Sequence, residues 1–378
     1  MLKLSLVATC AFGLEAVVAR ELQALGYDTR SDNGSVWFEA DELAICRANL
    51  WLRSADRLWL RLGEFPAGTF EELFQGVRQL PWPDWLSANA EFPVSGISHA
   101  SQLTSVPACQ AVVKKAIVES LKARYRMDWF PEDGPRFPIR MALIHNQCTI
   151  SLDTSGSGLH RRGYRVLNAE APLRETLAAG LVQLTYWRPE RLLADPMCGS
   201  GTILLEAALW ALKRAPGLNR TFAAEGWPWV PPAAWPQARA EAEELFDRTT
   251  RLNILGSDHD SDVLKLARYH LRAAELSDRG IEFQRRPVQE FRSRQKYGVL
   301  ITNPPYGQRQ SELIEVERLY RELGRVWEPL RETWSGYFLT SHPGFPRLFG
   351  HRPARRRKVY NGMIPCIYYQ YPGPRPAR

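Results

Sequence analysis

Two short runs hold the residues whose types and spacing could do chemistry. The first is Asp195-Pro196-Met197-Cys198-Gly199-Ser200-Gly201-Thr202, with the apolar stretch Arg191 to Ala194 before it and helical spacing from Ile203 to Leu212 after it. That is a strand feeding a glycine turn and then a helix. Glycines let the backbone approach a ligand closely, and a helix N-terminus offers unpaired N–H groups to an anion. Asp195, at the strand's end, can accept from an ammonium or a hydroxyl. The second run is Asn303-Pro304-Pro305-Tyr306, at the end of the apolar strand Val299 to Thr302. Two prolines fix the backbone and remove two donors, so the Pro304 carbonyl is left as a bare acceptor. With the Asn303 side chain as second acceptor and the flat Tyr306 ring, the set suits a planar exocyclic amine.

The elements that must position these runs alternate strand and helix from Arg191 onward, as βαβ units do. Asn253 to Gly256 reads as the second strand, ending in Ser257-Asp258-His259-Asp260, and Ile281 to Gln284 as the third. Strand five is Gly336 to Thr340, and Val359 to Tyr369 closes the chain as a hairpin. A ligand on such a sheet lies beyond the carboxyl ends of the strands, where Asp195, Asp258 and Asn303 all fall. Pro228, Pro231, Pro232 and Pro236, with Trp227, Trp229 and Trp235, fill an insertion over 213–245. Its tryptophans either stack bases or cover the domain edge.

Asp-Pro-Met-Cys-Gly-Ser-Gly-Thr followed by Asn-Pro-Pro-Tyr-Gly resembles S-adenosylmethionine-dependent amino-methyltransferases. More narrowly, the chain resembles the THUMP-containing guanine-N2 RNA methyltransferases of the RlmL type. The resemblance extends to Leu152-Asp153-Thr154-Ser155-Gly156, to Leu159-His160-Arg161-Arg162-Gly163-Tyr164-Arg165 and to Arg214-Ala215-Pro216-Gly217-Leu218. It implies an α/β fold: a class I, Rossmann-like methyltransferase domain with a mostly parallel seven-stranded sheet. A ferredoxin-like segment over 1–45 and a THUMP RNA-binding domain over 46–160 would precede it, with the methyltransferase domain over 161–378.

By the same resemblance S-adenosylmethionine is the cofactor, held by Asp195, Pro196, Cys198, Gly199, Ser200, Gly201 and Thr202. Asp258 or Asp260 would take the ribose, and Thr176 is a contact candidate on the helix that Ala171-Pro172 opens. Asn303, Pro304, Pro305 and Tyr306 would form the catalytic set. One departure stands out: Pro287 occupies the position where the family places an acid for the adenine amine, leaving Gln289, Glu290 or a backbone carbonyl to substitute. The implied reaction is methylation of a guanine N2 in 23S rRNA. A tRNA guanine is the alternative substrate, and a ribosome-assembly factor without catalysis is a third reading.

In the front half, Leu58, Leu60 and Leu62 alternate with Arg57, Trp59 and Arg61, so the latter face is either an RNA contact or a solvated edge. Thr69-Phe70-Glu71-Glu72 reads as a capping box. A helix from about Val106 turns Lys114 and Lys115 outward. Arg161, Arg162 and Arg165 around Tyr164 either grip phosphates and a base or pin the joint between domains by ion pairs. Arg355, Arg356, Arg357 and Lys358, with no acid among them, are further candidates for RNA contact.

The 378 residues carry a formal charge of +8, which favours an anionic partner. Six scattered cysteines form no C-x-x-C motif, so a reduced cytoplasmic protein without a metal site is expected. The apolar run at Leu4 to Ala11 is too short to span a membrane, so no membrane partner is expected.

Overall fold

The computed structural model describes residues 3–165, 173–307 and 310–374. Seven strands build the first sheet: β1 (Leu4–Cys10), β2 (Arg30–Asp32), β3 (Ser35–Ala40), β4 (Ala55–Pro66), β5 (Val94–His99), β6 (Ile139–Ile144) and β7 (Gln147–Asp153). Their order is β2-β3-β1-β4-β7-β6-β5, and only the β5–β6 pair is parallel. The long β4 pairs with β1 on one side and β7 on the other, so the ferredoxin-like and THUMP parts share one continuous sheet.

Leu58 and Leu60 of β4 are buried, as the alternation requires. Trp59, on the other face, is also buried, at 8% exposure. Arg140 reaches across from β6, its guanidinium carbon 4.8 Å from the Trp59 ring centre, and Arg57 pairs with Asp153. That face is closed by internal cation–π and ion pairs rather than offered to RNA.

Thr69 caps the helix Phe70–Arg78: its hydroxyl accepts the Glu72 N–H at 3.2 Å, and Glu72 accepts the Thr69 N–H at 3.1 Å. Thr69→Ala is expected to lower stability by about 1 kcal/mol, read by urea unfolding.

The second sheet is β8 (Leu193–Asp195), β9 (Ile254–Asp258), β10 (Ile281–Arg285), β11 (Val299–Thr302), β12 (Ser335–Thr340), β13 (Arg355–Asn361) and β14 (Ile364–Tyr371). In the order β10-β9-β8-β11-β12-β14-β13, the first five are parallel and the closing hairpin is antiparallel. The order reverses at β8, which places a crevice beyond the ends of β8 and β11. β13 starts four residues ahead of the Val359 expected from sequence, because Arg355 to Lys358 pair with Gln370 to Ile367. The basic run is therefore an edge strand. The helix expected to open at Ala171-Pro172 spans Glu175–Gln183; residues 171 and 172 lie outside the described residues.

The insertion is folded. It carries a helix at Ala234–Glu244, and Trp227 stacks on Phe137 at 5.0 Å while its Nε1–H donates to the Arg136 carbonyl at 2.9 Å. Trp85 and Trp229 meet edge to face at 5.0 Å. Trp227 and Trp235 are buried, Trp227 against the front half and Trp235 against Phe222 of the insertion itself, rather than exposed for stacking bases. Among the described residues no helix is long and apolar enough to cross a membrane.

Candidate active site

The glycine turn after β8 takes a shape that only glycine holds cheaply. Gly199 and Gly201 have φ of +53° and +83°, and a Cβ on Gly201 would stand 2.9 Å from Phe283 Cζ. A Cβ on Gly199 would meet nothing within 4 Å, so that side of the turn faces open space. The turn leads into the helix Thr202–Ala211, whose first N–H groups point toward the crevice end of the sheet.

Two carboxyl groups stand at this end. Asp195 is buried and accepts the Met197 N–H at 3.1 Å; burial pushes its pKa up to about 7. Asp258 accepts the Gly199 N–H at 3.0 Å on one oxygen and the Asp260 N–H at 3.1 Å on the other, and His259 Nδ1 lies 3.1 Å from that second oxygen. The Asp258 carboxylate thus ties the end of β9 to the turn after β8. Asp260 is exposed and serves as N-cap of the helix Ser261–Ala273, accepting the Asp262 N–H at 2.8 Å. The sequence left these two acids undivided. The structure puts Asp258 on the crevice wall and gives Asp260 a capping role.

Pro196, Met197, Asp258, Pro287, Val288 and Pro305 line a cleft of about 640 Å³. Pro287 lies on its wall, as N-cap of the short 3-10 turn Val288–Glu290. The Gln289 amide is engaged by Glu322.

At the end of β11, Pro304 is buried and Pro305 exposed. The Tyr320 hydroxyl donates to the Pro305 carbonyl at 2.7 Å, which braces the proline pair from below. Tyr306 does not stand free as a stacking ring. It packs on the core, and its hydroxyl donates to Asn303 Oδ1 at 2.6 Å. Burial raises its pKa, with the Cys366 thiol beside it acting in the same direction. The bond fixes the Asn303 carboxamide and leaves its oxygen a second lone pair.

Several residues expected at a ligand or at RNA are spent internally. Thr176 is buried and donates to Asp56 at 2.8 Å across the joint between the halves. Arg162 and Tyr164 are buried as well. Tyr164 donates to Glu206 at 2.8 Å, and the Arg162 Nε lies 3.5 Å from the same carboxylate. Arg162 also donates to the Leu159 and Arg53 carbonyls, and Arg53 to the Arg214 carbonyl at 2.7 Å. Arg165 donates to Glu175 at 3.0 Å and to the Thr202 hydroxyl at 3.0 Å, bracing the glycine turn from behind. Burial raises the Glu175 pKa, against the pull of Arg165. Arg162, Tyr164 and Arg165 are thus held internally, with Arg162 reaching the front half through the Arg53 carbonyl and Arg165 staying within the catalytic half; Arg161 remains exposed. Lys114 pairs with Glu132 at 2.7 Å over the Phe92 ring, whereas Lys115 is exposed. Burial at a joint depends on residues far away in sequence, which no local motif reveals. Among the described residues no cluster could hold a metal ion.

A family model of the RMKL-like methyltransferase domain matches residues 162–370. Models of the RlmL ferredoxin-like domain and of the THUMP domain match residues 5–59 and 67–153. YpsC of Bacillus subtilis (strain 168), named as an RNA methyltransferase, is 47% identical over 98% of this chain and 96% of its own length. The ribosomal RNA large subunit methyltransferase K/L of Cellvibrio japonicus (strain Ueda107) is 36% identical over 94% of this chain and 49% of its own length. Among solved structures, SMU.472, a methyltransferase complexed with SAH, is 42% identical with a TM-score of 0.94, covering 99% of both chains. One from Listeria monocytogenes, named as a predicted N6-adenine-specific DNA methylase, is 46% identical with a TM-score of 0.93, covering 99% of this chain and 97% of that one. The chain belongs to the RMKL-like methyltransferase family, with a ferredoxin-like and a THUMP domain ahead of the catalytic one.

Proposed function

We propose that the protein transfers a methyl group from S-adenosylmethionine to the exocyclic N2 of a guanine in 23S rRNA. The observation that carries this reading is the Asn303-Pro304-Pro305 acceptor set at the end of β11, across the crevice from the glycine turn and Asp195. The SAH held by the SMU.472 relative and the rRNA named for the Cellvibrio relative support it.

The crevice fits such a cofactor. Its volume is in the range of small-molecule sites, and the open side of Gly199 leaves room for a close ligand. Asp258 would take the ribose hydroxyls on the carboxylate lone pairs left by its two backbone bonds. Asp195 would accept from the ammonium of the amino-acid end. Pro287, Val288 and Pro305 give apolar walls for a flat base, in place of the acid that the family usually has there. The bound cofactor supplies an electrophilic methyl group on a sulfonium. The chain's own part is to hold the amine in line with it. Asn303 Oδ1 and the Pro304 carbonyl accept the two amine hydrogens, which favours pyramidal nitrogen as positive charge develops there. Tyr306 keeps the Asn303 oxygen aimed and Tyr320 keeps the proline pair in place, so little reorganisation is needed. No strong base is required, since the product ammonium is very acidic. A guanine within folded RNA must leave its stack to reach the crevice.

The state of Asp195 makes a pH prediction. Its folded pKa, near 7, lies above the ordinary carboxylate value, so the ligand-free protein holds a proton there that the unfolded chain would release. Stability of the ligand-free protein therefore falls as pH rises from about 4 toward 7. Affinity for the cofactor ammonium moves the opposite way. S-adenosylhomocysteine binding should weaken by up to about tenfold per pH unit below 7, and Asp195→Asn should flatten that dependence. Calorimetry across pH 5.5 to 8 checks it, and a flat profile in the unaltered protein contradicts it.

The function itself is tested with labelled S-adenosylmethionine and separate 23S rRNA and tRNA pools from cells lacking the gene. After digestion, labelled N2-methylguanosine is expected from 23S rRNA. The same nucleoside from tRNA would move the substrate, and label on adenine would overturn the proposed chemistry.

A further inference from the structure

A second concavity, of about 530 Å³, opens on the edge of the methyltransferase sheet, where the ferredoxin-like part meets β13. Arg355, Arg356 and Arg357 line it from β13, and Arg20 from the helix Glu15–Ala24. Gln370 of β14 and Gln183, the last residue of the helix Glu175–Gln183, complete the wall. This is not the crevice. Gln183 precedes β8 in the chain, so it sits near the amino ends of the parallel strands, whereas Asp195, Asp258 and Asn303 stand at the carboxyl ends. Gln370 is paired with Tyr337, in the lower half of β12.

The charge here is not balanced internally. No acidic side chain lines the pocket, and among the described residues none of the four arginines is ion-paired to a carboxylate. The neighbouring acid, Glu21, is spent elsewhere: it accepts the Arg53 N–H at 2.9 Å, the Ser54 hydroxyl at 2.8 Å and the Gln183 amide at 2.5 Å. The carboxyl end of the helix Glu175–Gln183 adds a negative partial charge of only about half a unit, against the guanidiniums of Arg20, Arg355 and Arg357. Arg357 is anchored by its bond to the Gly13 carbonyl at 3.0 Å. Arg20 and Arg355 are exposed and, among the described residues, bonded to no side chain, whereas Arg356 leaves the opposite face of β13, its guanidinium carbon 5.9 Å from the Tyr369 ring centre. Planar guanidiniums around a concavity match phosphate oxygens in geometry and charge.

We propose that this pocket binds the phosphodiester backbone of the RNA substrate at a point remote from the methylated nucleotide. The proposal rests on the RNA reading above and narrows the substrate class. A productive RNA must be large enough to reach the sheet's edge while presenting its target at the crevice, which suits a folded rRNA region better than an isolated stem–loop.

The test is the salt dependence of binding for the full-length protein and for R20Q/R355Q, with a 23S rRNA transcript and with a short single-stranded oligoribonucleotide. Each lost phosphate contact lowers the slope of log affinity against log salt by about 0.7 to 0.9. The double variant should lose about 1.5 to 2 in slope with the long RNA and less than 1 with the oligonucleotide, with S-adenosylhomocysteine affinity unchanged as the check on folding. The single variant R355Q should lose about 1. An unchanged slope with the long RNA, or an equal loss with both RNAs, overturns the proposal. So does protection of the unaltered protein against melting by inorganic phosphate with no change in RNA slope, which would mark a free-phosphate site. Binding is read without turnover, so failure of guanine-N2 methylation would show separately, in the nucleoside digest.

Discussion

Asn303→Ala is expected to lower kcat by about 10²- to 10³-fold while leaving S-adenosylhomocysteine affinity within about twofold, because the removed acceptor acts only as charge grows on the amine. The Asn303 oxygen is held by the Tyr306 hydroxyl at 2.6 Å. Tyr306→Phe, which keeps the packed ring and removes that bond, should show a smaller loss of the same kind, about tenfold, since it only loosens the aim of the carboxamide. Single-turnover kinetics separate these from binding. A loss expressed as weakened cofactor binding, with kcat intact, would place Asn303 at the cofactor rather than at the acceptor.

The second large effect concerns stability. Glu206 is fully buried and takes bonds from Tyr164 and Arg162, in a cluster that also holds the fully buried Arg53. Burial lowers the Arg53 pKa to about 10, opposed by Glu206 and Glu21. Glu206→Leu strands the Arg162 charge and the Tyr164 hydroxyl away from water, and should destabilise the protein by about 3–5 kcal/mol. Adding Arg162→Met to that variant should recover a large part of the loss, because the penalty comes from the unpaired charge more than from the missing attraction. Urea unfolding of the two variants measures this. Equal stability of the single and double variants would contradict the account of the joint. The helix bearing Glu206 begins at the glycine turn, so this buried cluster also couples the front half to the base of the crevice.

What could be read from the sequence follows from how local each signal is. The turn at Gly199 and Gly201, the acceptor run at Asn303 and the capping box at Thr69 are defined by neighbours a few positions away, and each folds as its residues require. Asp258 could be separated from Asp260 only in three dimensions, because the choice depends on which carboxylate faces the Gly199 N–H. Arg162 and Tyr164 read equally well as an RNA grip, since the acid that claims them is 44 and 42 residues away. Trp59 reads as half of an exposed face until Arg140 covers it from another strand. The helix Glu42–Trp51 is announced locally by its cap, Asp41, which accepts the Ala44 N–H. Arg20 carries no signal in sequence at all; only the fold brings it beside Arg355.

The most direct measurement of the central claim removes a single amino group from the substrate. Once the methylated guanosine is mapped in a minimal RNA, that position is replaced by inosine, which lacks the exocyclic N2 but keeps the rest of the base. The account predicts unchanged RNA binding and no methyl transfer to the inosine RNA. Continued methylation at that position would contradict it, because the acceptor atom would then lie elsewhere on the nucleotide.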